Sequence, residues 1–173
     1  MFAAASNNRH NKKNPIGYPA KSKEHVICVN STNGRYKRSE FSPKAQSYRM
    51  NFSVVGERVE AAWPVPPGCI EETQKRQNGT SCATPIAAGI AALVLEYAVQ
   101  VQSQPKTDIW IQNVEALRRC AGISKVMYKC MTRDNKFGSY KNIKPWLLFD
   151  PHALRTTISH KISEALEDPD DLE

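Results

Sequence analysis

A tight turn, Asn78-Gly79-Thr80-Ser81, opens onto a stretch from Ser81 to Gln102 in which Glu96 is the only charged residue, and this junction limits the possible folds more than any other part of the chain. The stretch predicts one long helix, beginning at Ser81 or Cys82 and ending near Gln102. Pro85 falls in its first turn, where no amide proton needs a helical acceptor. Ala87, Ala88, Gly89, Ala91 and Ala92 are small on every side, so the helix can lie very close to a sheet or another backbone. A helix that is apolar all round belongs at the centre of a fold. Its most apolar part, Ile86 to Leu95, is shorter than the about 20 residues that cross a bilayer, so a buried helix is expected and a membrane partner is not. Gly79 is expected to supply an unusual backbone angle just before the helix.

The flanking segments favour strands ahead of this helix and helices after it. Phe2 to Ala5 is a short apolar run ending in Ser6-Asn7-Asn8, expected as a buried strand running into a loop. Residues 8–24 are polar and carry Pro15, Gly17 and Pro19, hence a loop. Val26 to Val29 predicts a second strand, followed by turn chemistry at Ser31-Thr32-Asn33-Gly34. Residues 35–50 are basic and irregular. Phe52–Val55 and Val59–Trp63 are strand candidates around Gly56, stopped by Pro64, Pro66, Pro67 and Gly68. Downstream, Asp108 to Cys120 predicts an amphipathic helix, Ser124 to Met131 a third, and residues 155–167 a terminal helix before an acidic tail from Asp168. The class expected is α/β, with a mainly parallel sheet and a central helix starting at Ser81.

Charge is unevenly spread over the 173 residues, whose formal net charge is +7. Arg9, Lys12, Lys13, Lys21, Lys23, Arg35, Lys37, Arg38, Lys44 and Arg49 are opposed in the first 50 residues only by Glu24 and Glu40. Such a front half can act as a basic interaction module or simply be a set of solvated loop lysines. No aromatic residues interleave the lysines as a stacking platform requires, so a nucleic-acid partner is not favoured. Cys28, Cys69, Cys82, Cys120 and Cys130 are odd in number and match no zinc spacing. They read as reduced thiols, which points to an intracellular setting. No metal and no cofactor are expected. No secretory signal opens the chain.

The turn before the long helix carries the chemistry. A serine hydroxyl becomes a nucleophile when it is exposed, rigidly aimed and next to a base. A glycine turn opening onto a helix supplies exposure and aim. It also sets Ser81 at the positive end of the helix dipole among unpaired N–H groups, which can stabilise an oxyanion. As a turn, a serine and a helix alone, Ser81 or Thr80 is equally an N-cap.

The wider run Gly79-Thr80-Ser81-Cys82-Ala83-Thr84-Pro85, followed by the Ala-Ala-Gly-Ile-Ala-Ala helix, resembles the active-site serine motif of the subtilisin-like proteases. Phe2-Ala3-Ala4-Ala5-Ser6-Asn7 resembles the strand of that family that ends in its oxyanion asparagine. Tyr18-Pro19-Ala20, Val26-Ile27-Cys28-Val29, Ser31-Thr32-Asn33-Gly34 and Phe41-Ser42 follow in the family's order, so the likeness covers about residues 2–101. The resemblance implies a serine endopeptidase with Ser81 as nucleophile. It implies that the Asn7 amide and the Ser81 N–H hold the oxyanion, and that the Ala4-Ala5-Ser6 backbone walls a substrate pocket. A polypeptide substrate follows. Ser6 in place of the usual glycine, and Pro145-Trp146-Leu147-Leu148-Phe149, look most like fungal intracellular subtilases, which often sit inside larger multidomain proteins.

The chain also departs from the pattern. In subtilisin the triad runs Asp, His, Ser. No aspartate precedes Ser81 here, and the histidines before it, His10 and His25, both follow the oxyanion strand and neither precedes a glycine. Asn8-Arg9-His10 replaces the glycine turn expected after Asn7. The expectation is a truncated, C-terminal part of the catalytic domain (residues 1–104), a helical extension (105–150) and a terminal helix with acidic tail (151–173), inactive in isolation. A non-catalytic protease remnant is the alternative. Cys82 reads as a small buried neighbour of the nucleophile. Glycosylation patterns at Asn30, Asn51 and Asn78 are taken as coincidence.

Overall fold

The computed structural model describes residues 1–8, 10–11, 13, 15–22, 25–46, 49–64, 74–103, 109–133 and 140–167. Four strands form one parallel sheet: β1 (Phe2–Ala4), β2 (Ile27–Thr32), β3 (Phe52–Val55) and β6 (Lys141–Asn142), in the order β1-β2-β3-β6. Phe2 pairs with Ile27, Val29 with Phe52, and Phe52 with Lys141. A separate antiparallel ribbon joins β4 (Val59–Ala62) to β5 (Gln74–Gln77). The long helix α1 (Thr80–Gln102) lies across β1, β2 and β3. A short 3-10 turn (Val114–Arg118) leads to α2 (Cys120–Met131), and α3 (Arg155–Glu167) closes the described chain.

Strand alternation divides the core. Ile27, Val29, Phe52 and Val54 face α1 and meet Ala83, Ala87, Ile90, Ala91, Val94, Ala98 and Val101. Val126, Met127, Ile158 and Ile162 from α2 and α3 join the same cluster, so the segment after α1 shares its core. On the opposite face Ala3, Ala5 and Cys28 pack with Ile16, Ala20 and Val26, under loops rather than helices. The fold is therefore mixed α/β, with a parallel sheet and a central helix.

Several expectations change. The turn expected at Ser31-Thr32 is strand, because β2 runs to Thr32 and the chain reverses only at Asn33. No helix spans 109–120. Asn113 is left-handed at φ 52° and Arg119 is extended, so the backbone breaks twice and α2 starts at Cys120 rather than Ser124. Gly79 is extended at φ 163°, an angle open to any residue, so the unusual backbone angle expected there is not found. β5 and β6 were not expected. The stop at Pro66, Pro67 and Gly68, the start at Asp108 and the tail from Asp168 lie outside the described residues. With 23 residues, α1 is long and apolar enough to cross a membrane by length and composition, yet it lies with one face on the sheet. Its composition predicts cover on all sides, but Leu93 is 58% exposed and Val99 53%.

Candidate active site

In a parallel sheet ligands gather at the carboxyl ends of the strands. Here β1 ends just before Asn7, β3 ends beside Gly56, and α1 begins at Thr80. A ladder of backbone bonds ties these points together. The Gly56 N–H donates to Thr32 O at 2.9 Å, and the Gly79 N–H donates to Gly56 O at 2.8 Å. A β-carbon on Gly56 would stand 2.5 Å from Ser31 Oγ and 2.6 Å from Gly79 O, so only glycine lets the loop close on the helix start.

Of the sequence-predicted residues, Asn7 and Ser81 meet. The Thr80 N–H and the Thr80 hydroxyl both donate to Asn7 Oδ1, at 2.8 and 3.0 Å. Because Thr80 N is only a donor, it fixes which end of the amide faces it, and Nδ2 faces away. A β-carbon on Gly79 would lie 2.7 Å from Ser81 Oγ and 3.1 Å from Asn7 Nδ2. Both groups thus converge on one small space, and a side chain at 79 would press on both. The first-turn donors are nearly all taken: Thr80 N–H by Asn7, and Cys82 and Ala83 N–H by Gly79 O at 3.0 and 3.2 Å. Among the described residues, the Ser81 N–H, the Ser81 hydroxyl and Asn7 Nδ2 have no partner. Two free donors and one exposed hydroxyl at a helix N-terminus suit a developing negative oxygen.

The Ala4-Ala5-Ser6 segment leads into this space. Ala5 is fully buried, its N–H donating to Val29 O and its carbonyl accepting from Gly17 N–H. Ser6 has φ 151°, a conformation side chains rarely adopt, and its Oγ accepts from Asn8 N–H at 3.0 Å. The expected glycine at 6 thus has a conformational reason, and the serine stands there under strain.

Among the described residues no side chain bonds the Ser81 hydroxyl, and His25 and His10 are exposed. Among the described residues no cluster of His, Cys, Asp or Glu is arranged to hold a metal. Cys28, Cys82, Cys120 and Cys130 are free; Cys69 lies outside the described residues. Burial pushes the Cys130 thiol up to about 11. Asn30 and Asn51 are 1% and 2% exposed, which closes them to glycosylation in this fold. Sequence reasoning missed Thr80 and Gly56 as parts of the site. Thr80 sat inside the recognised motif, while nothing local marked Gly56 beyond its place between two strand candidates.

A parallel sheet with a serine at the mouth of its central helix, facing an asparagine at the end of an adjoining strand, defines an α/β fold with a candidate site at the carboxyl end of its sheet. The chain belongs to the subtilase family, whose model (Peptidase_S8) matches residues 1–121. Subtilisin DY of Bacillus licheniformis is 33% identical over 95 residues, covering 55% of this chain and 31% of that protein. A lanthipeptide protease superposes with TM-score 0.62 at 19% identity, over 88% of this chain and 50% of its own. The PatG macrocyclase in complex with peptide superposes with TM-score 0.57 at 19% identity, over 95% and 42%. The chain thus spans half or less of the length of these relatives.

Proposed function

We propose that the chain carries the nucleophile half of a serine endopeptidase acting on polypeptides. The observation that carries this is the convergence of Ser81 Oγ, the free Ser81 N–H and Asn7 Nδ2 on one space. Ser81 Oγ attacks a peptide carbonyl and loses its proton to a base. The carbonyl oxygen takes the negative charge and is held by Asn7 Nδ2–H and Ser81 N–H. Collapse, with the protonated base giving its proton to the leaving nitrogen, expels the amine and leaves an acyl-enzyme, which water hydrolyses. The Ala4-Ala5-Ser6 backbone borders the acyl side of the substrate. The peptide bound to the macrocyclase neighbour supports a polypeptide substrate.

On this reading the base comes from outside this chain, so the chain alone is inactive toward peptides. In subtilisin itself, loss of the triad leaves roughly 10³–10⁴-fold catalysis over water. A fluorophosphonate probe tests the reading. The chain alone labels slowly or not at all, and labelling at Ser81 becomes rapid once an Asp- and His-bearing subtilase half is supplied. Rapid labelling of the isolated chain, lost in His10→Ala or His25→Ala, would show a base within it.

A further inference from the structure

Past the carboxyl end of β2 the chain turns back through residues 33–38, and the turn is tightly held. Asn33 Oδ1 accepts from the Arg35 N–H at 2.9 Å and from the Lys37 N–H at 3.1 Å. The Tyr36 N–H donates to Asn33 O, and the Asn33 N–H to Lys37 O. At its base the Ser39 hydroxyl lies 2.7 Å from Ser31 Oγ, the same atom that limits the space at Gly56. The turn is therefore rooted in the sheet beside the candidate site.

What it presents is an aromatic ring. Tyr36 has φ 60°, in the left-handed region that bulky side chains rarely enter. The ring is not hidden in a core, since Tyr36 is 44% exposed. It meets Trp146, itself 50% exposed, with 6.3 Å between ring centroids, and Lys144 Nζ stands 4.7 Å from the centre of the Tyr36 ring. Trp146 belongs to the 3-10 turn Pro145–Leu147 that follows β6. Strained backbone thus sets a surface ring rather than a core one, which points to a use at the surface. Arg35 and Lys37 flank Tyr36 and are exposed. Residues 33–42 and 144–147 carry Arg35, Lys37, Arg38 and Lys144 against Glu40 alone. Exposed aromatic rings among unopposed cations suit a partner that carries carboxylates around an apolar side chain.

The strands of the four-stranded sheet are all parallel, so the segments after β2 and β6 share a rim with Asn7, after β1, and Gly56, after β3. We infer that Tyr36, Trp146, Lys144, Arg35 and Lys37 form an exosite that takes an acidic segment of the polypeptide substrate, away from the bond to be cut. An apolar side chain of that segment packs on Tyr36 and Trp146, and its carboxylates meet the cations. The inference rests on the reading of Ser81 for calling the ligand a substrate, while the binding itself does not involve Ser81.

A fluorescently labelled peptide with one phenylalanine flanked by glutamates is added to the full chain, and binding is followed by anisotropy. Two variants accompany it: Trp146→Ala, and the double change Lys37→Gln with Lys144→Gln. Circular dichroism and urea midpoints establish that both fold. The peptide is expected to bind the parent and Ser81→Ala alike, to bind each patch variant about 10-fold or more weakly, and to weaken as salt is raised. Glutamine in place of its glutamates weakens it about as much. In the enzyme complemented by an Asp- and His-bearing subtilase half, a substrate extended by this segment shows a KM about 10-fold higher in Trp146→Ala at unchanged kcat. Absence of binding, or binding indifferent to both variants or to loss of the glutamates, overturns the exosite. An unchanged KM overturns its role toward substrate. Tighter binding of oligothymidylate, lost in the same variants, assigns the patch to single-stranded nucleic acid and overturns it too. Variant-sensitive peptide binding by a chain whose Ser81 stays unlabelled by fluorophosphonate in the complemented enzyme keeps the acidic-peptide surface and overturns the catalytic reading instead.

Discussion

Replacing Asn7 separates its two jobs, because one end of its amide caps the helix and the other faces the reaction space. Asn7 Oδ1 accepts from both the N–H and the hydroxyl of Thr80, a residue 1% exposed. Asn7→Ala leaves both donors without their acceptor. A stranded buried donor costs about 1–3 kcal/mol, and a lost N-cap typically about 1 kcal/mol. These describe the same loss, and Asn7 is exposed enough for water to compensate in part, so about 1–2 kcal/mol is expected. For a chain of this size that lowers Tm by roughly 2–8 °C. Asn7→Asp keeps an acceptor for both donors and adds a charge at the positive end of α1, worth about 0.3–1 kcal/mol in its favour. Its Tm therefore equals or exceeds the parent's. Acyl transfer follows a different order. Both variants lose the Nδ2 donor, and the carboxylate also repels the oxyanion. In the complemented enzyme kcat falls by about 10²–10³-fold in Asn7→Ala, the loss found when one oxyanion donor is removed from subtilisin, and at least as far in Asn7→Asp. The assays are thermal unfolding of the chain and peptide hydrolysis by the complex. An Asn7→Ala variant that melts with the parent while Asn7→Asp melts lower would refute the Thr80 tether. Full activity in Asn7→Asp would refute the oxyanion role.

The other expected outcomes rest on single contacts. Ser6→Gly removes the strain of φ 151° and raises the urea stability by about 1 kcal/mol, against the small loss of the Ser6 to Asn8 bond; an unchanged or lower midpoint would contradict it. Gly122→Ala places a β-carbon 2.0 Å from Ala116 O, a backbone atom that cannot swing away, and destabilises by about 3 kcal/mol, visible as early loss of protection in α2 by hydrogen exchange. Because burial raises the Cys130 thiol to about 11 from an ordinary 9.0, the folded state holds that proton longer than the unfolded chain. Its contribution is complete below pH 9 and is lost as pH rises toward 11, so urea midpoints fall over that window in the parent and fall less in Cys130→Ala.

The pairing of the Asn7 and Ser81 segments was legible because its signals are local. A glycine turn into a helix with a single charge and an apolar run ending in Asn7 need only neighbouring residues to be recognised. What escaped depends on distant or weak contacts. β5, Gln74-Lys75-Arg76-Gln77, has no apolar alternation, because three of its four residues are exposed and its backbone pairing with β4 alone makes it a strand. The helix expected at 108–120 had a loose apolar period, but Asn113 in the left-handed region and an extended Arg119 override it. The Thr80 tether to Asn7 joins residues 73 apart and leaves no trace in either local segment.

The two glycines beside Ser81 show how the sheet itself sets the candidate site. Neither is required for an unusual backbone angle. Gly56 is required because Ser31 Oγ, Gly79 O and the Ala83 β-carbon all stand within 3.0 Å of where its β-carbon would be. At Gly79 a β-carbon would press on Ser81 Oγ and Asn7 Nδ2, side-chain ends that would have to turn away from the shared space. The order of dependence runs from β2, through Thr32 O to Gly56, through Gly56 O to Gly79, and then to Ser81. Aim is thus inherited from strand pairing rather than from the loop that carries the serine. Ser31 holds its own position through a 2.7 Å hydrogen bond with the Ser39 hydroxyl, and both residues are fully buried. On the proposed reading of Ser81, these backbone bonds within the described residues supply its orientation, and proton transfer is the part of the reaction they leave to another group.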